Sequence, residues 1–214
     1  MAKKNIYNNV VNNKKKLHLG CGSNLLPGWM NTDFPPKSEN VLELDATKKF
    51  PFEDNSIDYV FSEHMIEHIS FEDGFFMLQE CVRILKPGGK IRCSTPDLRF
   101  LINLHQNPTK EINDRYIKWA VDQCWKNQIY LPGMVFNNFV RNWGHLFIYD
   151  KETMTHSLIS AGFINIRQFS ISDSEDPELK NLENEARRVK KGMPRGFLQL
   201  ESMTFEGTKN NAGS

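Results

Sequence analysis

Residues 16–34 read KLHLGCGSNLLPGWMNTDF, and this stretch decides the fold. From 16 to 20 polar and apolar residues alternate and the run stops at a glycine, as a strand does. Gly20-Cys21-Gly22 follows, then a turn at Pro27-Gly28, then a second apolar run over 29–34 that includes Asp33. A glycine loop opening off a strand lets the backbone approach a nucleotide closely. Two common versions do not fit. A dinucleotide fingerprint needs a third glycine three residues on and an acid about 20 residues further. Position 25 is Leu25, and Asp33 comes too early. A P-loop needs Gly-Lys-Ser/Thr, which is absent. A tight turn that holds no ligand stays open on this stretch alone.

Working outward, 41–44 and the mostly apolar IDYVFS at 57–62 read as a third and a fourth strand, and KIRCSTP at 90–96 as a fifth. Between the last two, Ser70 caps a helix whose stripe is Phe75, Leu78, Val82 and Leu85, and KPGG stops it. Residues 98–148 are helical in places and carry Trp119, Trp125, Tyr130, Phe136, Phe139 and Trp143. A helix over 151–162 closes on Gly162 and a strand begins at 163. A charged helix opens at Asp176-Pro177 and runs to about 191, and a last strand covers 197–207. Strands alternating with helices give an α/β fold with a largely parallel sheet.

The 214 residues suit one domain, 16–214, behind a polar extension, 1–15. A net charge of +1 provides no field for nucleic acid or an anionic membrane, so neither partner is expected. The four cysteines form no C-x-x-C pair, which fits a reducing cytosol, and no apolar run is long enough to span a bilayer. The N-terminal residues lack the apolar core of a signal peptide.

Asp33 and Asp45 each close a strand, and in an open parallel sheet ligands bind at the carboxyl ends of the strands. One carboxylate can accept two hydrogen bonds from a ribose diol, and another can accept from an adenine amino group. With no phosphate-binding group in view, an adenosine without phosphates fits best. The chain here resembles the class I S-adenosylmethionine-dependent methyltransferases. The resemblance lies in LHLGCG, in LDATKKFPFEDNSIDYVFSEHMIEHI, in RILKPGGKIRCSTPDL and in GHLFIYDKETMTHSLISAGF, in that order. It implies a Rossmann-like, mainly parallel seven-stranded sheet, with S-adenosylmethionine as cofactor. It places Gly20, Cys21 and Gly22 at the methionine end, Asp33 on the ribose, Asp45 with the Ala46 backbone on the adenine, and Ser62 and Glu63 beside the sulfonium. Such proteins usually set a full helix between the first two strands. Only 23–28 are available here, so a clipped turn is expected.

HMIEH, 64–68, also matches the H-x-x-E-H zinc signature, with His64 and His68 as ligands and Glu67 as base. Asp97, His105 and His145 offer a third ligand without a diagnostic spacing. The methyltransferase frame makes these loop polar groups instead, and no metal is expected. Methyl transfer from a sulfonium needs a base only when the acceptor must lose a proton. His145, after the aromatic insertion, is the first candidate, His68 the second and Asp97 the third. The insertion over 98–148 serves as acceptor lid. RRVKKGMPR, 187–195, is either a phosphate grip or the basic end of a helix whose Glu183 pairs with Arg187. These readings combine into a methyltransferase for a small molecule, with O-methylation of a saccharide or nucleotide-linked sugar foremost. A cofactor-binding module without catalysis and a zinc protease are the alternatives.

Overall fold

The computed structural model describes residues 14–126 and 128–211; most of the polar extension expected over 1–15 lies outside them. The chain runs β1 (Lys16–Leu19), β2 (Met30–Asp33), β3 (Leu42–Glu43), β4 (Ile57–Glu63), α1 (Phe71–Ile84) and β5 (Leu85–Pro96). The insertion is α2 (Leu98–Gln106), α3 (Glu111–Cys124) and α4 (Pro132–Asn137), ending in a π-turn over Asn138–Asn142. Then come α5 (Lys151–Ala161), β6 (Phe163–Phe169), α6 (Glu185–Lys190), α7 (Phe197–Glu201) and β7 (Ser202–Lys209).

The seven strands lie in the order β3-β2-β1-β4-β5-β7-β6. The first five pair in parallel, and β7 runs antiparallel to both β5 and β6. The chain moves outward from β1 to β3 and returns to β4 on the other side of β1. That reversal opens a crevice at the carboxyl ends of β1 and β4, where ligands bind in such sheets. Gly20 and Glu63 stand at its two lips.

β1 and β4 are apolar because they are covered on both faces: Leu17, Leu19, Val60 and Phe61 are fully buried. Ser70 caps α1 by accepting a hydrogen bond from the Asp73 amide. The buried face of α1 is Met77, Leu78, Cys81 and Ile84, so the helix is turned slightly from the expected stripe and leaves Phe75 and Val82 half-buried. A second apolar cluster lies inside the insertion. Phe100, Leu104, Tyr116, Val121 and Phe139 meet Phe197 and Leu198 of α7, with Trp119, Trp125 and Trp143 packed against them. Tyr130 and Phe136 remain exposed.

Two local expectations change, while the segment 20–29 forms the expected clipped turns and no helix. Asn31 instead stitches that loop, its amide accepting from Leu26 N at 2.9 Å and donating to Leu26 O at 3.1 Å. The segment 176–191 is turns until α6, because its acids are drawn to separate partners. Asp176 pairs with Lys90 at 2.7 Å. Glu183 grips Arg92 of β5 at 2.7 and 2.9 Å and does not pair with Arg187. The last strand starts only at Ser202, because Phe197 and Leu198 are used as a buried helical turn under the insertion.

Candidate functional site

Gly20 has φ +60 and lies against Met65, whose Cγ would stand 2.2 Å from an added Cβ. Gly22 has φ +53, and an added Cβ would meet nothing within 4 Å. The loop is therefore pressed onto Met65 at one glycine and open at the other. Cys21 is buried between them, and burial pushes its thiol up to about 11, so it stays protonated. Its amide donates to Thr32 O at 2.8 Å, tying the loop to β2.

Asp33 ends β2 half-exposed, with Oδ1 accepting from Phe34 N at 3.0 Å. Asp45 Oδ1 accepts from Thr47 N and Oγ1 at 2.9 and 2.7 Å, and these bonds lower its pKa. Ala46, beside it, is half-buried. The open space at Gly22 and the accessible carboxylate of Asp33 fit an adenosine cofactor laid across this crevice. Ser62, near the end of β4, is wholly buried. Glu63 is buried too, and burial raises its pKa. Asn24 Nδ2 donates to its carboxylate at 3.1 Å, and Arg187 and Arg188 each approach to 3.6 Å. Arg187 and Lys191 also donate to Ser23 Oγ, so the start of the basic run lies across the glycine loop.

Beyond Glu63 is a cavity of about 520 Å³ whose wall includes His64, His68, Trp119, Trp143, His145 and Arg188, with Lys191 and Glu201. Two backbone bonds assemble one side of it. Leu146 N and Phe147 N donate to Glu67 O at 2.7 and 3.3 Å, which fastens the chain after the insertion to the single 3-10 turn at Ile66–His68. The His68 and His145 rings consequently lie 4.9 Å apart. Burial is the main cause of each shift here. His145 falls to about 4, His68 falls, Glu67 rises to about 8 and Glu201 to about 7. Both imidazoles are neutral at pH 7 and can accept a proton or a metal.

Asp97 does not join them. It caps α2, accepting from Arg99 N at 2.9 Å, and is absent from the cavity wall. The zinc-signature geometry does not form either. His64 has φ +49 and precedes a single 3-10 turn, so His64 and His68 do not lie on successive turns of an α-helix. Sequence reasoning did not single out Gln123 or Glu201, which reach the cavity from the insertion and from α7. Nothing local marks either residue; only the packing of the insertion on α7 brings them in.

A family model described as a methyltransferase domain matches residues 17–93. No curated protein matches the sequence. Among solved structures, the chain is similar to one in the complex between the Haloferax volcanii Trm112 methyltransferase activator and a methyltransferase. That match has a TM-score of 0.53 at 17% identity over 94% of this chain and 85% of that one. It is similar also to a SAM-dependent methyltransferase from Archaeoglobus fulgidus, with a TM-score of 0.51 at 18% identity over 92% of this chain and 86% of that one. No helix among the described residues is long and apolar enough to cross a membrane. The strand order and the matched segment agree: residues 17–93 carry the match to a methyltransferase domain, and they build the glycine loop and the parallel half of a Rossmann-like sheet.

Proposed function

We propose that the enzyme O-methylates a small saccharide or nucleotide-linked sugar held in the cavity beside the cofactor crevice. One observation carries this reading: a mixed polar and aromatic cavity shares Arg188 with the crevice and has two neutral imidazoles on its wall. S-adenosylmethionine supplies an electrophilic methyl group on a sulfonium. The chain supplies alignment and desolvation. Gly20, Cys21 and Gly22 let the backbone approach the methionine end. Asp33 accepts from the ribose hydroxyls, and Asp45 with the Ala46 backbone faces the adenine. Glu63 stands at the sulfonium end, with Ser62 contributing backbone only. Trp119 and Trp143 offer flat faces to a sugar ring. Arg188 and Lys191 offer cationic donors to a phosphate. His145 and His68 activate the acceptor hydroxyl, and Asp97 holds α2 in place.

The test is turnover with labelled S-adenosylmethionine against free sugars, nucleotide sugars, phenols and amines. Methylation of a sugar hydroxyl, strongest when the acceptor carries phosphate, is expected. Turnover confined to amines, or none on any saccharide, overturns the reading.

A further inference from the structure

The sequence alone points to no metal, since the methyltransferase frame around HMIEH makes His64 and His68 loop polar groups. The structure brings a different set together. One ligand atom each from Glu67, His68 and His145 lies within 4.8 Å of the others. Two nitrogens and one carboxylate oxygen make a donor set that first-row transition metals accept, and both histidines line the cavity.

Two further observations point to a ligand there. Glu67 is fully buried, yet its Oε1 has no hydrogen-bond partner. His145 Nδ1 is likewise buried without one. A buried polar atom that nothing meets is costly. The opposite ends of two of these side chains are anchored by the protein. His68 Nδ1 donates to Gly144 O at 3.1 Å, which directs its other nitrogen away from the backbone. Glu67 Oε2 accepts from Thr95 Oγ1 at 3.1 Å, which leaves Oε1 free. Metal ligands are oriented in this way: one atom is held by the protein and the other is presented. The nearest competitor for Oε1 is His64 Nδ1 at 3.4 Å, and the other His64 nitrogen is bonded to Ser202 Oγ at 2.6 Å. Metal–ligand bonds of about 2.0–2.2 Å separate donor atoms by roughly 3–4 Å. A contraction of about an ångström from the 4.8 Å limit brings the set to that spacing.

We propose that Glu67, His68 and His145 bind a divalent first-row transition metal at the side of the acceptor cavity. Its role rests on the acceptor reading above. A divalent ion with one carboxylate keeps positive charge, so it draws a hydroxyl oxygen of the acceptor and makes that hydroxyl acidic. The proton then leaves to water, the oxygen forms its bond to the methyl carbon, and the carbon–sulfur bond breaks with its electron pair left on sulfur. The imidazoles thus activate the hydroxyl through the metal rather than by taking its proton.

The experiment titrates chelator-treated full-length protein with Co²⁺, read by visible ligand-field absorption, with Zn²⁺ as competitor. S-adenosylhomocysteine calorimetry on every sample reports folding and the cofactor crevice separately. One Co²⁺ per chain is expected. Glu67→Gln and His145→Ala should each weaken it at least tenfold, Thr95→Val should weaken it through the lost anchor, and His105→Ala should leave it unchanged. Should Glu67→Gln fail to bind S-adenosylhomocysteine, His145→Ala and Thr95→Val decide. Absorption that never saturates below millimolar Co²⁺, or equal affinity in all three site variants, overturns the proposal. Co²⁺ binding without saccharide turnover keeps the metal site and refutes the acceptor; turnover untouched by chelator, with no Co²⁺ site, does the reverse.

Discussion

The two glycines of the loop should respond differently to the same substitution. At Gly20 an added Cβ stands 2.2 Å from Met65 Cγ and 2.8 Å from Met65 Cβ. The second distance matters more, because a Cβ cannot swing away without moving its backbone. Gly20→Ala therefore combines left-handed backbone strain of about 1–2 kcal/mol with an overpacking cost of about 1–3 kcal/mol. The sum is about 2–5 kcal/mol of stability, with melting temperature falling about 2–4 °C per kcal/mol in a chain of this size. At Gly22 the strain is similar but no atom lies within 4 Å, so Gly22→Ala should lose only about 1–2 kcal/mol. Its Cβ instead enters the space the cofactor needs. Affinity for S-adenosylhomocysteine should fall at least tenfold while the fold persists. Thermal unfolding and calorimetry on both variants separate these effects. Equal destabilisation of the two would refute the close packing of Gly20 on Met65. Normal cofactor affinity in Gly22→Ala would refute the placement of the cofactor over that glycine.

Three further outcomes are expected. Asp33→Ala should cost on the order of 2–4 kcal/mol of S-adenosylhomocysteine binding through lost charge-assisted hydrogen bonds; calorimetry showing no change removes Asp33 from the ribose. His145→Ala should slow methyl transfer to a hydroxyl roughly 10²–10⁴-fold while calorimetric cofactor affinity holds; near-normal turnover would make this histidine structural. Arg92→Ala should destabilise the fold by about 3–5 kcal/mol in urea, because Glu183 and Glu206 pair with Arg92 in the interior at 2.7 and 2.6 Å; a loss under 1 kcal/mol would contradict that account.

The parallel half of the sheet was legible because its strands declare themselves locally. Val60 and Phe61 sit in an unbroken apolar run, and Gly20, Asp33 and Asp45 stand where their strands end. The helix α1 was legible from Ser70 and KPGG, though not the rotation of its buried face. What failed depended on partners distant in sequence. Acids at the start of 176–191 and bases at its end looked like a helix with its dipole satisfied. Arg92 and Lys90, far upstream, claim the acids instead. Likewise Glu67, His68 and His145 meet only because Leu146 and Phe147 hydrogen-bond to Glu67 O. A pattern within a window of residues carries no information about that.

The missing helix after β1 and the broken helix after β6 have one cause. Without a helix over 20–29, one face of β1 and β4 would be bare. Leu179 and Leu182 fill it, packing on Phe61 with Leu26, Trp29 and Tyr59 around them. Asn184 continues the cover through Asn24, whose own amide donates to Glu63 and to Leu182 O. Turns and the short α6 deliver Leu179, Leu182 and Glu183 inward and lay Arg187 and Lys191 on Ser23, and a left-handed Asn181 at φ +58 makes one of the turns. The substitute cover therefore brings what an ordinary crossover helix does not. It carries a cluster of cations to the junction of the glycine-loop crevice and the neighbouring cavity, with Arg188 reaching both. The shortened loop at the beginning of the fold and the charge that would select a phosphate-bearing acceptor are two consequences of the same exchange.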